Sequence, residues 1–438
     1  METDKTTLLD LAVFQHEEEF SIFNKVNFTR TVGGRDKLRN IFSNSLKDIS
    51  SILNVQKTLQ LIIDKKDQWP VTISNGSIMV ILKFNETIFD VMPARPTAYS
   101  SYMYKLFHKP DYSLAKYSAG HAFDFIKGIQ KLIGVFLKED SPENLKRVLQ
   151  KAQVLIEKTQ LAIISSKEKF ADLSTPETLG LTYFFRNHFK QNMEELIDIY
   201  FQLDAWYGMA MAVQELHLVF PSFIESDEPL LEIKKLYHIL LENPTSYDLH
   251  LNQHSNFIFL TGANMAGKST FIKAVGSAVF MAHIGMGVPA AAMELSYFDG
   301  LLSNINVVDN VVKGESYFYN EVQRIKKTIL RINDGRKWLI LIDELFKGTN
   351  VQDAMKCSTV VIQGLIKIRT SLFILSTHLY EIGESLKDYT NINFKYFETD
   401  VDEDKLSFNY NLRDGISNDR LGYLILKREK VIDLLEKL

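Results

Sequence analysis

Apolar positions in the first half of the chain recur every three or four residues. Leu38, Ile41 and Phe42, then Ile52, Leu53, Leu59 and Ile62 after Asp48, have helical spacing, and Thr31-Val32-Gly33-Gly34-Arg35 before them reads as a turn. Ser141-Pro142-Glu143 reads as a helix start, with a capping hydroxyl, a proline at the first helical position and an acid in the first turn. The helix it opens carries Leu145, Val148, Leu149, Ala152 and Leu155 on one face. A longer repeat follows, Phe189, Met193, Leu196, Ile197, Tyr200, Leu203, Tyr207 and Ala210, enough for about six helical turns. Most of these positions read as the core of a helical bundle with no chemistry of its own.

The helical pattern stops near Pro221 and the acidic stretch Glu225 to Glu228. After Pro244, short β-prone runs alternate with helical segments: "FIFL" (257 to 260), "WLILID" (338 to 343) and "LFILST" (372 to 377). Fully apolar strands separated by helices predict a parallel sheet covered on both faces. The expected organisation is an all-α domain over 1–228, an α/β domain over 229–425 and a closing helix over 426–438.

At 438 residues the chain is too long for one core, and two or three domains are expected. A formal net charge of -4 argues against a strongly basic nucleic-acid coat but leaves room for a local basic groove. Cys357 is the single cysteine, so an intramolecular disulfide framework and a multi-cysteine zinc site are excluded, and the residue reads as a buried small hydrophobe in a reducing compartment. The first residues, Met1-Glu2-Thr3-Asp4-Lys5, lack the features of a secretory signal, and a soluble, cytoplasmic protein is expected. Residues 274 to 293 carry no formal charge and are about as long as a membrane span. Their glycine, alanine, Pro289 and His283 favour a buried helix followed by a loop, with no membrane partner.

Chemistry concentrates in the second half. Gly262-Ala263-Asn264-Met265-Ala266-Gly267-Lys268-Ser269, followed by Thr270, fits the phosphate-loop pattern G-x-x-x-x-G-K-[ST] between a strand and a helix. Glycines let backbone N–H groups curl around phosphates at a helix N-terminus. Lys268 is placed to reach the β- and γ-phosphates, and Ser269 to ligate Mg²⁺. "WLILIDE" delivers Asp343 and Glu344 to the same sheet edge, where Asp343 would hold the Mg²⁺ shell and Glu344 would orient and deprotonate water. "LFILST" leads to His378, an imidazole placed to sense the γ-phosphate. The residues alone thus predict an ATPase.

Four stretches resemble the MutS family of DNA mismatch-repair ATPases, an ABC-type branch of the phosphate-loop enzymes. "TGANMAGKST" followed by "HIGMGVPA" (283 to 290) looks like the family loop T-G-P-N-M-G-G-K-S-T and its I-G-x-x-V-P-A. "DNVVKGESYFYNEV" (309 to 322) is similar to the signature D-D-x-x-x-G-x-S-T-F-x-x-E-M at Asp309, Gly314, Ser316, Phe318 and Glu321. "DELFKGTN" (343 to 350) and "STHLYEI" (376 to 382) resemble D-E-x-x-x-G-T-x and A-T-H-y-x-E-L. Upstream, "FNKVNFTRTVGGRDKLRNIF" (23 to 42) looks like the opening of the family's core lever domain.

The resemblance implies ATP and Mg²⁺ as cofactors, a DNA partner, and a homodimer in which Ser316 reaches the γ-phosphate held by the other copy. The helix "REKVIDLLEKL" (428 to 438) sits where the family has a dimer-stabilising element. Ala263, Ala266, Glu315 and Tyr317 replace commoner family residues, and Glu315 adds an acid beside Ser316. The mismatch-reading and connector domains are expected to be lacking and the DNA clamp shortened or absent. Phe84-Asn85-Glu86 and Phe223-Ile224-Glu225 match the family's mismatch-reading Phe-x-Glu only by chance. Tyr247 and His238 are aromatic candidates for neighbours of the base, though a structural role is the more ordinary reading of each. The expected activity is a DNA-linked ATP hydrolase in mismatch repair or a related transaction on branched or structured DNA. The alternatives are a nucleotide-gated DNA-binding or interaction module, and a transporter ATPase subunit, whose L-S-G-G-Q signature this chain lacks.

Overall fold

The segment Thr31 to Arg35, which reads as a turn, is the first turn of a helix. Thr31 Oγ1 accepts a hydrogen bond from Gly34 N at 3.0 Å. The Asp204 carboxylate accepts Arg30 N, Thr31 N and the Thr31 hydroxyl at 3.0, 2.9 and 2.6 Å. Together these bonds occupy donors at a helix start, where no intrahelical acceptor exists. Gly33 and Gly34 lie inside the helix because there is no room for a side chain: a Cβ would meet the Phe201 ring at 2.3 Å and Asp204 at 2.0 Å, respectively.

The computed structural model describes residues 1–87, 92–305, 317–402, 405–407, 409–417, 431 and 434. They fall into two units, one of residues 26–43 and 53–216 and the other of residues 1–25, 44–52 and 217–438. The first 25 residues and 44–52 thus fold with the second half of the chain. Helices α1 (Lys5–Asp10) and α2 (Ile22–Lys25) belong to that second unit. The helical unit contains α3 (Val32–Ser43), most of α4 (Ile49–Asp64), α5 (Asn75–Glu86), α6 (Ala98–Phe107), α7 (Lys109–Phe136), α8 (Glu143–Ile156), α9 (Ala162–Ser166), α10 (Thr175–His188) and α11 (Lys190–Glu215).

The long repeat read from Phe189 onward is α11, whose Met193, Leu196, Ile197, Tyr200 and Leu203 are buried, and α3 packs along it. Ser141 does not cap α8. Its hydroxyl donates to Phe136 O at 2.5 Å and accepts from Lys138 N at 2.8 Å, closing the end of α7, and Pro142 occupies the capping position with no side-chain bond. Phe84 is buried beneath the Arg186 guanidinium at 5.9 Å, an inward position incompatible with reading DNA.

The second unit contains β1 (Ser222–Ile224), β2 (Leu230–Leu236), β3 (Tyr247–Asn252), β4 (Phe257–Thr261), α12 (Lys268–His283), β5 (Ala292–Ser296), β6 (Gly300–Asn304), α13 (Tyr317–Ile332), β7 (Trp338–Asp343), α14 (Val351–Leu365), β8 (Leu372–Ser376), α15 (Glu381–Ser385), β9 (Ile392–Phe397), β10 (Asp400–Asp402), β11 (Lys405–Ser407) and β12 (Leu412–Asp414). Six strands form one sheet in the order β12-β9-β4-β8-β7-β6, parallel except for β12. Every residue of β4, β7 and β8 is buried, as their unbroken apolar runs require. A second sheet, β1-β5-β2-β3, is mostly antiparallel, and β10 pairs with β11. Phe223 in β1 packs edge-on against His283, 5.4 Å between ring centres. Cys357 is half-buried against the sheet's core.

The segment 274–293 is the rest of α12, a loop and the start of β5. No helix among the described residues is long and apolar enough to cross a membrane. The closing helix expected over 426–438 lies outside the described residues except Val431 and Leu434.

The N-terminal segment borders the sheet beside β6. Glu2 bridges to Gly300, and Asp10, buried, accepts from Ser303 Oγ at 2.6 Å, Ile305 N at 3.1 Å and Arg324 Nη2 at 3.0 Å. One carboxylate therefore ties α1, the end of β6 and α13 together.

Burial pushes the Asp204 carboxyl above the usual aspartate range, against the opposing hydrogen bond from Thr31. Replacing Asp204 with alanine strands two buried donors of Thr31 and the partly buried Arg30 N–H. In urea unfolding, Asp204→Ala is expected to destabilise the protein by roughly 2–4 kcal/mol, whereas a shift below about 0.5 kcal/mol would show that water replaces the carboxylate at no cost.

Candidate functional site

Strand β4 ends at Thr261, and the chain turns at Gly262 with φ of 139°. A Cβ there would lie 3.3 Å from the Phe397 backbone, so the close approach to β9 also demands glycine. The loop continues through Met265 at φ 69° and Gly267 at φ 106°, then enters α12 with no side-chain cap. The uncapped first-turn N–H groups and the helix dipole make an anion-binding end. Ala263 and Ala266, which replace the commoner proline and glycine, are buried and hold no positive φ, so the loop accepts them without strain. Asn264 and Met265 form its exposed crest.

Lys268 is 5% exposed, and its Nζ donates to Gly262 O at 2.8 Å and Ala263 O at 3.0 Å. Burial lowers its pKa, opposed by Glu344 and Asp343. The ammonium is thus held inside the loop's mouth by two carbonyls. Ser269 Oγ donates to Asp343 Oδ2 at 2.5 Å, and Ser376 Oγ donates to Asp343 Oδ1. A carboxylate and hydroxyl oxygens from three neighbouring segments meet at one point, a hard-oxygen set of the kind Mg²⁺ takes.

Glu344 follows β7 with φ of 62°. Its Oε1 lies 3.5 Å from His378 Nδ1 and its Oε2 lies 3.3 Å from Lys347 Nζ. The hydrogen bond from His378, assisted by Lys347 and opposed by burial, pulls the carboxyl from its ordinary 4.5 to about 2. His378 itself is half exposed at the end of β8. The structure therefore brings Lys268, Ser269, Asp343, Glu344 and His378 to one edge of the sheet.

Ser316 and its neighbour Glu315 fall outside the described residues, but Phe318 and Glu321 do not. The Phe318 ring packs on Phe346 at 5.7 Å, and buried Glu321 accepts Lys347 N at 3.1 Å and Gly348 N at 3.2 Å. Phe346 is itself at φ 60°. Glu321 thus secures the turn that leaves Glu344, a role its motif match did not reveal.

A cavity of about 420 Å³ opens beside the loop, lined by Lys268, Ser269 and Glu344 together with His238, Tyr247 and Tyr410. Tyr247 stands edge-on to Phe271 at 5.4 Å and to Phe397 at 5.6 Å, a fixed ring within the lining. Burial, helped by Lys273, lowers the His238 pKa to about 4, so its imidazole is neutral near pH 7. Tyr410 sits over Gly267, 3.3 Å from where a Cβ would be. Its separation from the loop by more than 140 residues hid it from motif reading. Leu241, Asn243 and Thr245 also line it, with no pattern to announce them.

Residues 258–432 match the family model for MutS domain V. A DNA mismatch repair protein MutS from Petrotoga mobilis is 26% identical over 244 residues, covering 55% of this chain and 30% of that protein. A protein of the same name from Thermotoga maritima is 28% identical over 269 residues, 60% of this chain and 33% of the relative. DNA mismatch repair protein spellchecker 1 from Drosophila melanogaster is 28% identical over 234 residues, 52% of this chain and 25% of the relative. The chain spans a quarter to a third of the length of these relatives. Together with the parallel sheet and the phosphate loop, these matches give residues 258–432 the phosphate-loop NTPase fold of MutS domain V, and the chain is similar to MutS-family proteins over that part of its length.

Proposed function

We propose that this chain is a Mg²⁺-dependent ATP hydrolase whose nucleotide state governs its hold on DNA, in mismatch repair or a related transaction on structured DNA. The observation that carries the reading is the Ser269–Asp343 hydrogen bond at 2.5 Å, with the Lys268 ammonium and Glu344 beside it. The DNA half of the reading comes from the mismatch-repair relatives.

The loop N–H groups from Gly262 to Thr270 and the Lys268 ammonium would hold the phosphates, and Ser269 and Asp343 the Mg²⁺. Bound MgATP supplies the scissile β–γ anhydride bond and the cation that offsets charge on the phosphates. Tyr247 offers a flat face to the base, with neutral His238 beside it. Glu344, hydrogen-bonded by His378 and paired with Lys347, binds protons weakly. It therefore accepts a hydrogen bond from the attacking water and orients it, more than it removes a proton outright. His378 holds that carboxylate from the neighbouring strand end.

The ATP-bound form is a homodimer in this reading, with Ser316 of each copy completing the other's site, as the signature resemblance implies. The bonds from Glu321 to Lys347 and Gly348 support it, because they connect the signature's own helix to the turn after Glu344.

Glu344→Gln preserves the shape of the site and removes its negative charge. Steady-state turnover should fall at least about 100-fold while ATP still binds and the dimer persists in sedimentation; equal turnover in both proteins would refute hydrolysis at this site. Tyr247→Ala should weaken ATP binding about tenfold with little change in turnover at saturation, as loss of one base-stacking face requires, and an unchanged affinity would remove Tyr247 from the base site.

A depressed folded-state pKa makes the Glu344 carboxylate a stabilising group above pH 4.5 whose contribution fades as the pH falls toward 2. The melting-temperature difference between wild type and Glu344→Gln should therefore be flat above pH about 5 and shift against wild type below it, and a difference independent of pH down to about 3 would contradict the His378 and Lys347 pairing.

A further inference from the structure

Helices α6 and α7 border a groove of about 840 Å³ that none of the nucleotide chemistry uses. Tyr104 of α6, Tyr112 and Ala115 of α7, and Leu179 of α10 form a small buried cluster with Met92, and Tyr112 also reaches the lining of the groove. The groove is unlike an ordinary solvated helix face. Tyr102 and Tyr117 line the groove at 63% and 58% exposure, interleaved with Lys105, Lys109 and Lys116. In chain order the three lysines fall between the two exposed rings, and Tyr102, Lys105, Lys109 and Lys116 follow one another at helical spacing, so rings and ammonium groups line the same groove.

Charge sets the sign of the occupant. Residues 98–136 carry five lysines and two aspartates, in a chain whose formal net charge is -4, so this is a local reversal. None of Lys105, Lys109 and Lys116 forms an ion pair among the described residues. Asp124 is the one acid of the lining. Partial removal from water raises its carboxyl above the ordinary aspartate range, against a pull from His121.

The rings decide which anion. A baseless polyanion needs only the lysines and gains nothing from two exposed tyrosines. A duplex presents phosphates but keeps its base faces stacked inside. A strand with unpaired bases offers a phosphate and a flat π-face per nucleotide, and both have partners here: ammonium groups for the one, tyrosine rings for the other.

We infer that the α6–α7 groove binds a nucleic-acid strand with unpaired bases, through Lys105, Lys109 and Lys116 to phosphates and Tyr102 and Tyr117 to bases. The inference rests on the DNA-linked reading above and adds the form of nucleic acid and its place on the helical unit.

The test is fluorescence anisotropy of the full chain with labelled oligothymidylate, with a duplex of equal length and with inorganic polyphosphate as competitor, at one fixed salt concentration and then across a salt series. Oligothymidylate should bind more tightly than duplex. Tyr102→Ala with Tyr117→Ala should weaken that binding at least about tenfold, and circular dichroism should show an unchanged fold because both rings are exposed. Lys109→Gln with Lys116→Gln should reduce the slope of log K against log salt by about 1.4, at about 0.7 per phosphate contact on a single strand.

No binding to any nucleic acid would overturn this inference and the DNA reading together. Binding that the groove substitutions leave untouched, or duplex bound as tightly as single strand, would overturn the groove alone. So would polyphosphate displacing the strand equally well from wild type and the tyrosine variant. A loss of self-association in the tyrosine variant without loss of nucleic-acid binding would identify a second copy as the occupant and overturn it as well.

Discussion

The hydrogen bond from Ser269 to Asp343 joins the first turn of α12 to the end of β7, two segments 74 residues apart. The constraint behind it is the parallel sheet. Because β4, β7 and β8 run in one direction with β8 between the other two, their C-terminal ends share one edge. Ser376 at the end of β8 donates to the same carboxylate, so three segments converge on Asp343. A parallel sheet buries both faces and needs helices on each, which is why the strands are apolar throughout and why their polar chemistry is confined to the residues just past their ends.

Strain gathers at that edge. Met265, Glu344 and Phe346 all hold left-handed backbone, a conformation that bulky residues adopt only when their surroundings impose it. For Phe346 the surroundings are visible: the Phe318 ring against its own, and Glu321 gripping the next two N–H groups. The stretch that begins at Phe318 thus has a task within the chain itself. Its described residues hold the turn that aims Glu344.

Much of this was legible in the sequence because the signals are local. The strands Phe257–Thr261, Trp338–Asp343 and Leu372–Ser376 lie where unbroken apolar runs put them, and the glycine loop lies between a strand and a helix. Elsewhere the decisive partner is far away. Thr31 to Arg35 looks like a turn because two glycines favour one, yet Asp204, 173 residues later, satisfies the donors there and makes it a helix. Ser141 has the spelling of a cap, but the carbonyl of Phe136 competes for its hydroxyl and wins. Asp10 binds Arg324 across 314 residues, and no periodicity could assign the N-terminal segment to the sheet. Likewise, His238, Tyr247 and Tyr410 come to line one cavity only after folding.

The account's central claim is that one edge of the sheet holds a nucleotide and its metal through Lys268, Ser269 and Asp343. The most direct measurement is calorimetric titration of the full chain with ATP, in Mg²⁺ and in EDTA, for wild type and Asp343→Asn. The account predicts saturable binding by wild type that is tighter in Mg²⁺, and binding by Asp343→Asn that no longer responds to the metal. Absence of binding by wild type, or the same Mg²⁺ dependence in both proteins, would contradict it.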